Sequence, residues 1–294
     1  MTDVRSITEQ LGGRWYGRYG TAPCPCCQFE GRRDQDALTI TDGDGRVLMH
    51  CKKTNCHIKE IRIASGLSSG DYTPRSDEEI AQRNAEAKLM ENRKAAQAAI
   101  CWKESQPIAG TIAETYLRGR GITAPFGNCL RFHPDAWHGP TAQRLPAMVA
   151  AVSVLHGSSS PAVHRTYLSP DGSRKADVQP VKMMLGRTAG GGVALSDGAG
   201  PLVVCEGIET GLSLLSGLLE GPAKVVAALS TSGLKSLTLP GAPGTLILAP
   251  DGDSAGHEAS EALGLRAQGA GWQVHLLAAP EGCDWNDILR AGGL

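Results

Sequence analysis

Two groups of residues in this 294-residue chain have the types and spacing to do chemistry. The first is a run of cysteines, five of the nine lying between Cys24 and Cys56. Cys24 and Cys27 form a CxxC turn, and after 23 further residues Cys51 and Cys56 form a second pair with four residues between them. Two thiolate pairs on short turns offer the tetrahedral sulfur set that zinc takes, and metal binding supplies folding energy that a small core lacks. Cys26, His50 and His57 adjoin these positions, and each could replace one of the four, because His and Cys exchange in such sites. A redox role for the CxxC would require a thioredoxin-like βαβ pattern around it, which the sequence does not have. Cys101, Cys129, Cys205 and Cys283 are scattered singly and read as packing residues.

The second group is acidic. Glu206 follows the apolar run LVVC and precedes Gly207, whose missing side chain leaves room beside the carboxylate. Further on, TLILAP leads into DGDSAG, where Asp251 and Asp253 fall in a strand-to-helix loop behind Pro250. Three carboxylates at neighbouring strand ends repel one another unless a hard cation such as Mg²⁺ or Mn²⁺ neutralises them, and phosphoryl chemistry is a common use of that arrangement. The competing reading of the DxD, a helix N-cap with a charged first turn, is weakened by the apolar strand ending in EG within the same unit. Asp284 and Asp287, in CDWNDILR, either complete the acidic site or cap the terminal helix. Arg165, Lys175 and Lys182, in HRTYLSPDGSRKADVQPVKMMLG, either hold phosphates or belong to a solvated surface.

These residues need elements to position them. Residues 1 to about 70 are loop-rich with short strand-like runs and a DGDG turn at Asp42 to Gly45, too sparse in apolar residues for a core without a staple. Their ten Lys/Arg outnumber eight Asp/Glu, and Arg32, Arg33, Lys52, Lys53 and Lys59 near the knuckles either contact phosphates or form a solvated basic surface. Ser76 with Glu79 three residues on is a capping box, predicting a helix to about Ser105 whose thin, alanine-rich apolar stripe suits a solvated spacer. A second box, Thr111 with Glu114, predicts a short helix through AETYLRGRGI. Strands are expected at PAMVAAVSVL from Pro146, PAVHRTYL from Pro161 and GVALS from Gly192. From Pro201 short apolar runs alternate with helical segments, which predicts βα units on a largely parallel sheet with Glu206, Asp251 and Asp253 at the strand ends where such sheets gather their chemistry.

Composition narrows the function classes. With 41% apolar and 20% charged residues the chain is neither disordered nor fibrous, and 4% aromatics leave the core to aliphatic side chains. A formal net charge of -1 excludes an indiscriminate polyanion binder, so any nucleic-acid contact must be local. No apolar run approaches the roughly 20 residues of a membrane span, and MTDVRSITEQ lacks the regions of a signal peptide, so a soluble, cytoplasmic protein is expected.

The order of these pieces, CPCC to CKKTNC, then YLRGRGI and LRFHP, then VVCEG and APDGDSAG, ending in DWND, resembles DnaG-type primases. The likeness is to the phage, plasmid and prophage proteins with a CHC2-like zinc finger and a Toprim domain. The resemblance implies a multidomain α/β chain: a small zinc-ribbon β domain over residues 1–70, a helical linker over 71–108, the N-terminal part of an α+β primase core over 109–198, and a C-terminal Toprim domain, Rossmann-like with a largely parallel sheet, over 199–294. It implies a DNA primase, a nucleotidyltransferase that makes short RNA primers on single-stranded DNA from nucleoside triphosphates, with structural Zn²⁺ and catalytic Mg²⁺ or Mn²⁺. Glu206 matches the acid of the first Toprim motif and Asp251 and Asp253 match its DxD, while Arg165, Lys175 and Lys182 become candidates for template or nucleotide contacts. Cys27 stands where many relatives have histidine, and Thr210, preceded by Glu209, stands where cellular primases carry a further acid. No GxxxxGK[ST] loop occurs, so a separate replicative helicase is the expected partner. Two other readings share these residues: a Toprim nuclease that hydrolyses DNA, and a noncatalytic zinc-dependent single-strand-binding replication accessory. A topoisomerase would also need a nucleophilic tyrosine in a DNA-gate domain, which neither the five tyrosines nor the spare length supplies.

Overall fold

The computed structural model describes residues 3–28, 35–43, 46–67, 76–154 and 161–292. The chain divides into two units, Met1–Ala87 and Lys88–Leu294.

In the first unit, helix α1 (Val4–Gln10) starts where the Asp3 carboxylate accepts the Ser6 N–H at 2.7 Å. Strands β1 (Arg14–Trp15), β2 (Tyr19–Ala22), β3 (Leu38–Gly43) and β4 (Arg46–Cys51) form an antiparallel sheet in that order, and helix α2 (Ile58–Ala64) follows. The expected DGDG turn lies partly outside the described residues. Alternation along β4 buries Val47, Met49 and Cys51 and exposes Arg46, Leu48 and His50. The core is Val4, Ile7, Leu38, Ile40, Met49 and Ile61 together with Cys24 and Cys51, so two of the candidate zinc thiols are themselves core residues. Gly20 permits the close approach of α1, because a Cβ there would overlap the Thr8 side chain.

Helix α3 (Asp77–Glu104) has its expected capping box: the Glu79 N–H donates to Ser76 Oγ at 3.2 Å and the Ser76 N–H to Glu79 Oε2 at 2.9 Å. Most of its described residues are exposed, but its last turns bury Ala98 and pack Cys101 and Trp102 on the sheet that follows.

That sheet belongs to the second unit. Strands β5 (Gln106–Pro107), β6 (Leu130–His138), β7 (Gln143–Ala151), β8 (Ala162–Tyr167) and β9 (Lys182–Gly186) form an antiparallel meander, with helix α4 (Ile112–Gly119) between β5 and β6. Strand β6 was not expected. Pro134 interrupts its pattern, and the structure accommodates it where the register shifts between His133 and Ala136. The second capping box does not form: Thr111 Oγ1 donates to the Ile108 carbonyl at 2.6 Å instead of accepting the N–H of Glu114, whose carboxylate takes the Gly110 N–H at 2.8 Å and not that of Thr111.

The C-terminal sheet is as predicted, largely parallel. Strands β10 (Val193–Ala194), β11 (Leu202–Cys205), β12 (Lys224–Ala227), β13 (Thr245–Ala249) and β14 (Gln273–Leu276) lie in the order β10-β12-β11-β13-β14, with β10 alone antiparallel. Helices α5 (Ile208–Ser213) and α8 (Trp285–Arg290) cover one face, and α6 (Thr231–Ser236) and α7 (Ser254–Gly269) the other. All four residues of β11 are buried, as a central strand covered on both faces requires. The chain leaves β11 for β12 on one side and returns to β13 on the other, which opens a crevice at the carboxyl ends of β11 and β13. One core joins the α5 and α8 face of this sheet to α4 and the inner face of the meander.

Candidate functional site

In the first unit the Sγ atoms of Cys24, Cys27, Cys51 and Cys56 all lie within 4.8 Å of one another. Cys24 and Cys27 sit on a tight turn closed by the Gln28 N–H to the Cys24 carbonyl at 2.8 Å. Cys51 ends β4, and the chain turns back to Cys56 through Asn55 at φ 54°, a left-handed conformation that asparagine tolerates. Burial pushes the Cys51 thiol up, but the backbone N–H groups of Thr54, Cys56 and Lys53 and the Cys27 thiol outweigh it and bring it to about 5. Burial raises the Cys24 thiol and the Cys27 thiol is raised as well, so it is the convergence of the four sulfurs that fits zinc. The three alternative ligands stand aside. Cys26 is outside the converging set, His50 projects from the exposed face of β4, and His57 Nδ1 accepts the Lys59 N–H at 3.3 Å. Arg32 and Arg33 lie outside the described residues.

The same unit presents a feature that composition concealed. Tyr16 and Tyr19, 50% and 42% exposed, stack with ring centroids 5.3 Å apart, and the Arg14 guanidinium lies 6.0 Å from the Tyr16 ring. The pairing Tyr19 to Thr41 to Leu48 puts Tyr19 on the exposed face of the sheet with Arg46, Leu48 and His50.

In the second unit Glu206 follows β11 and Asp251 follows β13, at the mouth of the crevice. Burial first, then the charges of Asp251 and Asp253, raise the Glu206 carboxyl, with Lys182 acting in the opposite sense. Asp251 is raised in the same way, by burial and then by Asp284 and Asp253, against an opposing backbone hydrogen bond at Trp285 and the Thr210 hydroxyl, which donates to it at 3.2 Å. Asp253 caps α7, accepting the Gly256 N–H at 2.6 Å. Gly252 between them is required, because a Cβ would overlap the Pro280 carbonyl oxygen. Asp284 caps α8 in a box with Asp287 while its charge bears on Asp251, so both sequence readings of this residue describe part of its surroundings. Among the described residues, the three carboxylates do not close to the spacing of the four thiols. Their chemistry, hard oxygens with the Glu206 and Asp251 carboxyls raised, fits a divalent cation. Next to them Leu229 holds a strained φ of 74° while its N–H donates to the Glu206 carbonyl at 2.7 Å.

Lys175 and Lys182 converge on Glu209. Lys175 Nζ lies 3.1 Å from Oε1 and Lys182 Nζ 3.5 Å from Oε2, and the Tyr116 hydroxyl donates to Oε1 at 3.0 Å. Burial alone would raise the Glu209 carboxyl, but the two ammonium groups hold it far below the usual range. His164, near the same cluster, is pushed down to about 4 by burial and then by Lys182, so it is neutral at pH 7. Arg165 is not in this group. Thr166 pairs with Lys182 and Arg165 with Met183, so Arg165 projects from the opposite face of the sheet, where it is buried and donates to the Trp137 carbonyl at 2.9 Å. Sequence reasoning passed over Glu209 and Tyr116. The signal was there: a carboxylate inside the apolar helix IETGLS, all six residues of which are buried, requires cationic partners.

Two cavities adjoin these groups. One of about 950 Å³ along α7 and β14 is rimmed by Asp253, Glu258, Glu261 and Glu281, an acidic lining that repels polyanions. The other, about 360 Å³, is lined by Tyr116, Gly119, Arg120, Ser173, Arg174, Lys175 and Arg290, four cations and no carboxylate. The Arg120 Nε is buried without a hydrogen-bond partner among the described residues.

Residues 201–294 match the family model of the Toprim domain, and residues 92–195 match a domain of unknown function, DUF7146. The parallel sheet that carries Glu206, Asp251 and Asp253 is therefore a Toprim domain. A comparison with curated proteins finds no match. Among solved structures, the chain is similar to a DNA primase domain from Pseudomonas aeruginosa at 19% identity and TM-score 0.41, covering 68% of this chain and 75% of that one. It is also similar to the zinc-binding and RNA polymerase domains of the Aquifex aeolicus primase, at 16% identity and TM-score 0.44 over 99% of this chain and 80% of that one. The primase fragment of the bacteriophage T7 primase-helicase protein is 15% identical with TM-score 0.38, over 92% and 94% of the two chains. Among the described residues no helix is long and apolar enough to cross a membrane.

Cys51→Ser is expected to abolish zinc retention and unfold the small unit, whereas Cys26→Ser retains about one zinc per chain, measured by metal analysis and circular dichroism. A carboxyl whose folded-state pKa is raised destabilises the fold when ionised, and this penalty is relieved as pH falls through the folded value toward the unfolded one near 4. Asp251→Asn is therefore expected to raise the metal-free melting temperature at pH 7 by about 2–4 °C, with the gain vanishing toward about pH 4. In the wild type, Mg²⁺ or Mn²⁺ is expected to raise the melting temperature at pH 7 and to do so less as pH falls.

Proposed function

We propose that this chain is a DNA primase, synthesising short RNA primers on single-stranded DNA by metal-dependent nucleotidyl transfer. The observation that carries this reading is the set of Glu206, Asp251 and Asp253 at the crevice of a Toprim sheet, with Lys182, which shares Glu209 with Lys175, acting on Glu206. Glu206 and Asp251, raised by burial and then by neighbouring carboxylates, offer hard oxygens to a divalent cation, and ammonium groups hold phosphate oxygens. The metal, Mg²⁺ or Mn²⁺, supplies activation of a 3′-hydroxyl and neutralisation of the departing pyrophosphate.

The residues of the chain do the rest. Glu206 and Asp251 hold the cation, with Asp253 fixed by its cap at the start of α7. Lys182, with Lys175 and the arginines of the basic cleft, binds the nucleotide's phosphates. The zinc-stapled unit engages the template: exposed stacked tyrosines flanked by arginines give bases a stacking surface and phosphates a counter-charge.

Purified protein incubated with mixed-sequence single-stranded DNA, labelled nucleoside triphosphates and Mg²⁺ or Mn²⁺ is expected to yield short new oligomers on a denaturing gel. Asp251→Ala should reduce them by at least about 100-fold. Shortened template without synthesis would replace this reading with a nuclease, and two unchanged strands would replace it with a single-strand-binding accessory. For the template surface, Tyr16→Ala with Tyr19→Ala is expected to weaken oligothymidylate binding by about tenfold or more in fluorescence anisotropy, with zinc content unchanged. Arg14→Ala should lower the salt dependence of that binding by about one phosphate contact.

A further inference from the structure

We infer that Glu209 is a positioning residue for nucleotide phosphates, acting through Lys182 and Lys175, an inference that rests on the nucleotidyl-transfer reading above. Its side chain is 8% exposed and meets three donors from three separate places: Tyr116 on α4, Lys175 in the segment between β8 and β9, and Lys182 at the start of β9. Packing alone does not call for a carboxylate here, since its neighbours on α5 are Ile208 and Leu212 and a buried charge is unfavourable unless paired.

What a carboxylate does, and an apolar residue cannot, is hold two flexible ammonium groups at one point. Each lysine carries three N–H donors on a four-carbon stem, and both remain about a third exposed, at 33% and 38%. Glu209 takes one direction from each and leaves the others free. Lys182 held there acts on the Glu206 carboxyl in the lowering sense, while Lys175 lines the basic cleft with Arg120, Arg174 and Arg290. One buried anion thus orients a cation toward each of the two places where phosphate charge must be met. The ordering entropy of both side chains is spent before the nucleotide arrives. Two ammonium groups against one carboxylate leave a net positive charge, so the tether does not cancel the attraction for phosphate.

The test is binding of ATP with Mg²⁺ to the full chain by isothermal titration calorimetry, with Mn²⁺ binding in the absence of nucleotide followed by electron paramagnetic resonance. Glu209→Gln keeps the shape and an acceptor for Tyr116 but removes the charge, and is expected to weaken ATP binding about tenfold. Nucleotide-free Mn²⁺ affinity should stay within about threefold. Because Glu209 acts through Lys182, adding Glu209→Gln to Lys182→Met should weaken ATP binding less than it does in the wild type. The double variant, in which one lost cation matches the lost anion, also keeps the test available should Glu209→Gln alone fail to fold. ATP binding unchanged or tightened by Glu209→Gln, or a loss from Glu209→Gln in the Lys182→Met background as large as in the wild type, overturns the positioning role and leaves the proposed reaction standing. A wild type that binds no ATP overturns both.

Discussion

A carboxylate removed from water has to find its counter-charges within the protein, and Glu209 finds them in Lys175, Lys182 and Tyr116. The requirement ties α5 of the Toprim sheet to α4 and to the last strand of the antiparallel meander. Apolar packing between these elements is extensive but non-directional, since Leu117, Ile122, Ile208 and Leu212 would tolerate small slips against one another. The ion pairs would not. Asn286 adds a second directional tie, its side-chain amide donating to the Arg120 carbonyl at 2.8 Å and to Ser213 Oγ at 2.9 Å, so α8 also locks α4 to α5. Both ties sit beneath the crevice, where small displacements would separate the basic groups from the acidic ones.

The acidic groups are arranged by a different constraint. Parallel strands end on the same side, so the loops after β11 and β13 deliver Glu206 and Asp251 to one place without any specific contact between them. Burial is the larger cost that delivery imposes on both, and neighbouring carboxylates add to it; Trp285 Nε1 donates to the Pro250 carbonyl at 3.1 Å and closes the site from that direction. The Thr210 hydroxyl offsets part of the charge on Asp251. Such a site is held together by covalent connectivity and sheet hydrogen bonds against its own electrostatics, which suits it to a cation.

The small unit solves the opposite problem. Its ten-residue core includes two thiols of the converging cysteine set, so metal and apolar packing are not separable contributions there. One face of the sheet is spent on that core, and the other is left to Tyr16, Tyr19, Arg46 and Leu48.

Periodicity and spacing in the sequence determined the parallel sheet, the capping box of α3, the four cysteines and the three carboxylates, because each depends on residues near one another in the chain or on the fixed direction of βα connections. Strand β6 was obscured by Pro134, which is tolerated only because a bulge forms against β7, a partner that local pattern does not reveal. Arg165, Lys175 and Lys182 looked alike in one basic stretch. Strand register separated them, sending Arg165 to one face and Lys182 to the other, because side chains alternate every residue and pairing decides which face meets α5. The same alternation puts His50 on the exposed face, and turn geometry leaves Cys26 and His57 outside the four converging thiols. Glu209 was visible in the sequence only as an acid in an apolar helix; its partners stand 93, 34 and 27 residues away, and only the tertiary structure brings them within 3.5 Å.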